Sequence, residues 1–223
     1  MSYLYETPIK MPRSTHYGNN YWLFQSRKIG RRVTAFSNLE YENLISLEMD
    51  PNVVFYCEQP CEQTVIIDGN KHHTVFDVYV VYRDGREVFQ EVKYAEEIAS
   101  ETDGRSRKQI NTQQYWCKQN NYPYELRTDK EIEIGQYTIR NLCYLCTKAR
   151  RNTSTEAIND QAFLTYLKEH GEPTIGQLYV NGLLTTRSGI DYLADLYYRG
   201  KIEFSDIHNE PITNTTGVKT YGR

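Results

Sequence analysis

Two acids and a lysine near the middle of the chain have the types and spacing that metal-assisted phosphodiester hydrolysis requires. Asp77 lies in one apolar run, and Glu91-Val92-Lys93 ends the next run, 14 positions later. Carboxylates are hard oxygen ligands for Mg²⁺, which also takes phosphate oxygens. The metal lowers the pKa of a bound water, and a nearby ammonium orients that water or stabilises developing charge. These residues predict a hydrolytic metal site if the fold brings them together.

The turn between the two apolar runs decides whether Asp77 and Glu91 share a face. The segment Arg83-Asp84-Gly85-Arg86 is typical of a hairpin turn. Because side chains alternate along a strand, a two-residue loop would place Asp77 opposite Val92 and separate the acids. A three-residue loop with Gly85 in the left-handed conformation places Asp77 opposite Glu91. We expect this loop or an equivalent bulge; the alternative is a plain solvated hairpin edge, because the pattern is loose.

A third acid, Glu40, precedes this hairpin. Ser37 is a helix-capping residue type, and the apolar positions that follow have helical spacing up to Asp50-Pro51. This pattern predicts a helix over 37–49 with Glu40 near its first turn. A carboxylate there is also stabilised by the helix dipole without any catalytic duty.

The order of helix Glu, strand Asp and strand Glu-x-Lys is that of the restriction-endonuclease-like nuclease fold. Roughly residues 30 to 150 resemble the N-terminal endonuclease region of the TnsA family, the 5′-end-cleaving subunit of heteromeric cut-and-paste transposases. The segments that carry the resemblance are 37–40, 47–53, 58–60, 76–77, 91–93 and 126–132. The resemblance implies that Glu40 and Asp77 are catalytic acids and that Glu91 and Lys93 form the Gln/Glu-x-Lys element. Some relatives have Gln where this chain has Glu91, which adds a charged ligand here.

The resemblance implies a Mg²⁺-dependent DNA endonuclease, with one or two ions, that cuts the non-transferred strand at transposon ends. Asp77 would bind or bridge the metal, with Glu91, the Val92 carbonyl and Glu40 as further ligands, and Lys93 would position the attacking water. A partner transposase would make the 3′ cuts, and an ATPase regulator would license assembly. The alternatives are a stand-alone restriction or repair nuclease and a non-catalytic adaptor that keeps the nuclease fold.

The formal charge of −3 is unevenly distributed. Residues 1–34 carry 6 basic and 1 acidic side chains, residues 35–103 carry 4 and 15, and residues 104–147 carry 7 and 4. Acid therefore concentrates around the proposed metal site, and the flanking cations predict phosphate contacts or an ordinary solvated surface. The overall acidity favours an enzyme that partners recruit to DNA. The candidate DNA contacts are Arg27, Lys28, Arg31, Arg32, Arg105, Arg107 and Lys108.

The order of elements predicts an α/β protein, with a restriction-endonuclease-like mixed-sheet core and a C-terminal winged-helix-like α+β domain. We expect residues 1–34 to form a basic N-terminal arm or a loosely helical lead-in, followed by an endonuclease domain over 35–150 and the C-terminal domain over 151–223. The polar segment 150–155 marks the last boundary. The expected strands are 53–59, 63–68, 74–82, 87–93, 124–127 and 201–205, and the expected helices are 37–49, 106–120, 138–149, 157–171, a short one from 174, and 186–199.

The cysteine count and hydropathy predict a reduced, cytoplasmic protein. Five cysteines are an odd number, no apolar run is long enough to span a membrane, and the first residues do not open a signal peptide. Two cysteine pairs, 57/61 and 143/146, would together supply four thiolates for zinc. The helical spacing around the second pair favours packing instead.

Overall fold

The computed structural model describes residues 3–11, 20–99, 104–149, 159–185 and 188–222. By its internal contacts the chain divides into two compact units. The first comprises Met1–Glu48 and Asn52–Ile132, and the second comprises Met49–Pro51 and Glu133–Arg223.

The first unit is built on a four-stranded mixed sheet in the order β3-β6-β7-β8, in which only the β7–β8 pair is parallel. Two antiparallel hairpins, β1–β2 and β4–β5, form separate two-stranded sheets. The elements are β1 Trp22–Gln25, β2 Arg32–Ala35, α1 Asn38–Met49, β3 Val53–Glu58, β4 Glu62–Ile67, β5 Asn70–Val75, β6 Val78–Tyr82, β7 Glu87–Val92, α2 Ala95–Ala99, α3 Gly104–Gln119, β8 Tyr124–Arg127 and α4 Asp129–Ile132.

Aromatic packing on this sheet fixes the strands that carry the candidate site. Phe76 and Phe89 are fully buried, with ring centroids 4.7 Å apart, and Trp116 of α3 packs on both at 5.3 and 5.2 Å. Burying aromatic side chains of this size contributes strongly to the core. Because Phe76 precedes Asp77 and Phe89 lies two residues before Glu91, the packing holds both acids in place.

Two predictions for the first unit are wrong in detail. The single strand predicted over 74–82 is two strands, β5 and β6, which end and begin on either side of Phe76-Asp77. In the predicted N-terminal arm, the described residues include β1 and part of β2, paired from Trp22 opposite Ala35 to Gln25 opposite Arg32, and are not helical. Residues 12–19 of that arm lie outside the described residues.

The second unit contains helices followed by a short antiparallel hairpin. Its elements are α5 Thr138–Ala149, α6 Asp160–His170, α7 Ile175–Val180, α8 Gly189–Tyr198, β9 Ile202–Phe204 and β10 Val218–Thr220. Thr174 caps α7, with its side chain accepting from the Gln177 N–H while the Gln177 side chain accepts in return. The three helices α6 to α8 and the strand β9 follow one another in the order that the sequence predicts.

The division between the units differs from the sequence-based domains. The predicted boundary at residues 150–155 lies outside the described residues. Helix α5, which the sequence analysis assigned to the endonuclease domain, packs on α8 of the second unit. Its apolar face, with Leu142 and Leu145 buried, needs that partner because a helix of twelve residues is marginal alone. The contacts therefore divide the chain after Ile132.

None of the five cysteines forms a disulfide, and Cys57, Cys61, Cys117 and Cys146 are buried. No helix in the described part of the chain is both long and apolar enough to cross a membrane.

Candidate active site

The β6–β7 hairpin brings Asp77 close to Glu91. Val78 pairs with Gln90 and Val81 with Glu87, and one further step in this register matches Asp77, in the bend just before β6, with Glu91. The loop has three residues, because the Tyr82 N–H donates to the Arg86 carbonyl at 2.9 Å. Gly85 has φ +87°, a conformation that costs glycine little, and this confirms the expected turn. Asp77 and Glu91 therefore share a face, and Lys93 follows two residues later on that face.

Glu91 is fully buried and is held from two sides. Its Oε1 lies 2.6 Å from the Lys93 ammonium, and its Oε2 accepts a hydrogen bond of 2.6 Å from the Gln113 side chain. Gln113, on α3, also donates to the Val75 carbonyl at 3.0 Å and accepts from the Tyr124 hydroxyl at 3.0 Å. Gln113 is itself fully buried, so its amide is committed to orienting Glu91.

Glu40 joins the site from the first turn of α1. The Ser37 hydroxyl accepts from the Glu40 N–H at 3.1 Å and caps the helix. The Glu40 Oε2 accepts from the Phe36 N–H at 3.0 Å and lies 3.5 Å from the Gln59 side-chain nitrogen. Gln59 also donates its N–H to the Asp77 carbonyl at 2.8 Å and adopts a positive φ of 37°, which is uncommon for a non-glycine residue. Gln59 thus connects Glu40 with Asp77.

Burial and the charge of Asp77 raise the pKa of the other two acids. Burial, followed by the negative charge of Asp77, raises the pKa of Glu40 to about 7 and the pKa of Glu91 to about 8. Burial alone would lower the pKa of Lys93, but the charges of Asp77 and Glu91 outweigh it and hold that pKa above its ordinary value. Asp77 is fixed by a hydrogen bond of 2.8 Å from the Val92 N–H to its Oδ2. The structure therefore brings together all four side chains that the sequence analysis proposed as catalytic.

An open cleft of about 600 Å³ gives access to this cluster. Glu40, Asp77 and Lys93 line it, together with Arg105 and Lys108 of α3. Arg105, Arg107 and Lys108 are exposed, so these predicted DNA contacts are accessible at the described start of α3.

The basic residues of the N-terminal segment have structural partners. Arg31 pairs with the buried Glu58 at 2.7 Å, and the Lys28 ammonium donates to the Leu47 carbonyl at 2.9 Å. The N–H groups of Arg27 and Lys28 donate to buried Glu48, which orders the loop between β1 and β2. Arg27 and Arg32 are exposed. Of the predicted DNA contacts, Arg31 is the one most committed to folding, because removing it would leave a buried carboxylate unpaired.

The donor set suits Mg²⁺, although no three His, Cys, Asp or Glu side chains in the described ranges are grouped as a ready-made metal site. Mg²⁺ is held through one or two carboxylates, waters and phosphate oxygens rather than by a cage of protein ligands. Burial, followed by the charge of nearby Asp77, raises the pKa of Glu91, and a bound cation would offset that repulsion. The residues present therefore fit a magnesium ion with few protein ligands.

The mixed α/β architecture and the cluster of acids with a lysine are consistent with a nuclease-like fold. Residues 50–129 match the family model described as TnsA-like endonuclease N terminal. Residues 50–129 are therefore similar to a TnsA-like endonuclease domain, which confirms the resemblance stated from the sequence. The match includes Asp77, Glu91 and Lys93, and it supports a nuclease role in transposition alongside other transposase subunits. No curated protein matches the chain.

Sequence reasoning missed two residues of the site, Gln59 and Gln113. Gln59 follows Glu58 in one of the segments that resemble the TnsA family, but its role depends on a positive φ and on a contact across the fold. Gln113 lies in a polar helix, where a glutamine is ordinarily a solvated residue. Only its burial and its contact with Glu91 distinguish it from the exposed Gln114 beside it.

Proposed function

We propose that this chain is a Mg²⁺-dependent DNA endonuclease that cuts the 5′, non-transferred strand at transposon ends. The observation that carries the proposal is the convergence of Asp77 and Glu91 where the β6–β7 pairing ends, with the Lys93 ammonium 2.6 Å from Glu91. Convergence of these side chains with Glu40 favours catalysis over the non-catalytic adaptor. In this proposal the enzyme acts with a partner transposase that makes the 3′ cuts and with an ATPase regulator.

Each side chain of the cluster has a distinct part in the proposed reaction. Asp77, Glu91 and the Val92 carbonyl would hold one or two Mg²⁺ ions, and Glu40 would complete the site directly or through water. Bound Mg²⁺ supplies a lowered water pKa and offsets charge on the phosphate. Lys93 stays protonated because of its acidic neighbours, so it positions the attacking water and does not serve as a base at neutral pH. The Val92 N–H fixes the Asp77 carboxylate.

Cleavage of labelled transposon-end DNA tests this assignment directly. We expect Asp77→Ala to abolish 5′-strand cleavage in a reconstituted reaction containing Mg²⁺, the partner transposase and the ATPase regulator. Glu97→Ala is the matched control, because Glu97 is an exposed acid on α2 outside the site. Cleavage by Asp77→Ala at the wild-type rate would show that this cluster is not the nuclease site.

Dependence on partners follows from the uneven distribution of charged residues along the chain. The segment around the site, residues 35–103, carries 15 acidic and 4 basic side chains, so little phosphate charge is neutralised by the chain alone. The isolated chain therefore binds DNA weakly at physiological salt, and the partner transposase raises its local concentration at the cut. Site-specific cutting of transposon ends by the purified chain alone would favour a stand-alone nuclease instead.

The second unit is proposed to be a winged-helix-like domain that contacts the ATPase regulator. Its support is the order of three helices and a hairpin, and the equal numbers of acidic and basic side chains over residues 148–223. The side chains of α8 are all buried or half-buried, so α8 does not offer a helix for reading a DNA groove. Deleting residues 133–223 is expected to reduce capture by the ATPase regulator in a pull-down; unchanged capture would refute this role.

A further inference from the structure

The β4–β5 hairpin forms one wall of the active-site cleft. Its register pairs Ile66 with Lys71 and Thr64 with His73, so these four side chains share one face. All four are exposed, whereas Val65 and Thr74 on the opposite face are buried. The hairpin therefore packs one face on the unit and presents Lys71 and His73 outward.

The outward row leads toward the catalytic acids. Lys71, His73, Val75 and Asp77 follow one another at alternate positions, and all four line the cleft. Asp77 follows Lys71 by six positions, which at about 3.3 Å each is at most about 20 Å of extended chain. A B-form strand advances about 3.4 Å per phosphate, so the row spans up to about six nucleotide steps from the site.

Helix α3 supplies the other cationic wall. Arg105, Lys108 and Thr112 recur at helical spacing on one face and line the same cleft. Helix α3 also packs against both strands of the hairpin, so the two walls belong to one assembly. Glu40 and Asp77 line the same cleft, and Glu62 lies on the hairpin, opposite Val75. Cationic side chains from both the hairpin and α3 thus line the cleft of the catalytic acids, as expected for a backbone whose phosphates are held on both sides of a metal site.

We propose that the outward face of the β4–β5 hairpin binds the phosphate backbone of the DNA strand that enters the active site. Lys71 and His73 contact phosphates on one side of the scissile bond, and Arg105 and Lys108 contact phosphates on the other side. This inference rests on the proposed function of the site as a DNA nuclease. The contacts are to phosphates, so they position the strand without reading its sequence.

The test is DNA binding by the full-length chain as a function of salt. We would measure the anisotropy of a fluorescent duplex between 25 and 200 mM NaCl for the wild type, Lys71→Ala and Lys108→Ala. Loss of one phosphate contact lowers the slope of log K against log salt by about 0.9. The fall in DNA affinity between 50 and 200 mM NaCl therefore becomes about 3.5-fold smaller. Affinity at 50 mM falls on the order of tenfold.

Two control variants isolate the hairpin. Lys118→Ala removes an exposed lysine at the far end of α3 and should bind like the wild type, whereas Lys71→Arg keeps the charge and should restore the slope. The hairpin proposal is overturned if Lys71→Ala behaves like Lys118→Ala, or if the wild type does not bind at 25 mM NaCl. Neither result alters the outcome of the Asp77→Ala cleavage assay, which judges the nuclease assignment separately.

Discussion

Replacing Gln113 with leucine is expected to loosen Glu91 without touching the proposed metal ligands. The substitution keeps helix propensity and approximate size but removes the bonds to Glu91, Val75 and Tyr124. The bond to Glu91 contributes about 1.5–3 kcal/mol when that carboxyl is ionised and about 1 kcal/mol when it is protonated. With its other two partners left unsatisfied in the interior, we expect the free energy of unfolding to fall by about 3 kcal/mol.

The effect on function should appear in the magnesium dependence of cleavage. Losing a side chain that orients a metal ligand costs about 10- to 100-fold in metal affinity, so the Mg²⁺ concentration for half-maximal cleavage should rise by that factor. The maximal rate should recover largely at saturating Mg²⁺, because Asp77, Glu91 and Lys93 remain. A purely structural role for Gln113 would instead lower the amount of active enzyme and leave the Mg²⁺ midpoint unchanged.

Two neighbouring variants complete this experiment. Gln114→Leu makes the same chemical change at an exposed position of α3 and should match the wild type in stability and Mg²⁺ midpoint. Tyr124→Phe removes only the hydroxyl that donates to Gln113 and should shift the midpoint less than Gln113→Leu does. A wild-type Mg²⁺ midpoint in Gln113→Leu would refute the idea that this amide positions Glu91.

Three further changes test the electrostatics of the first unit. The folded-state pKa values of Glu40 and Glu91 lie above the ordinary 4.5, so their contribution to stability is full below about pH 4.5 and declines up to about pH 8. The melting temperature of the metal-free protein should therefore fall over that range, and Mg²⁺ should reduce the fall. An identical decline in the Glu40→Gln/Glu91→Gln variant would contradict this. Lys93→Ala should bind Mg²⁺ in calorimetry yet cut slowly, and lost binding would refute its role with water. Arg31→Ala should lower the free energy of unfolding by about 2 kcal/mol in urea titrations, less than loss of a fully buried ion pair, because the Arg31 side chain is 23% exposed. An unchanged urea midpoint would show that the ion pair of Arg31 with Glu58 does not stabilise the fold.

The β6–β7 hairpin shows how far local sequence can predict an active site. A three-residue turn ending in Gly85 is enough to place Asp77 opposite Glu91, because strand geometry repeats every two residues. The capping residue Ser37 likewise places Glu40 in the first turn of α1. These relations depend on neighbouring residues along the chain, so the pattern of residue types carries them.

Contacts between segments that are distant in the sequence could be identified only from the tertiary structure. The amide of Gln113 meets Glu91 across 22 residues, and Arg31 meets Glu58 across 27, and neither pairing has a local signal. Helix α5 joins the second unit because its apolar face packs on α8, although its sequence position favours the first. Periodicity reports that a face is buried but not which partner buries it. Local turns and caps were therefore determined by the sequence alone, whereas the packing of the folded chain decided which side chains orient the catalytic acids.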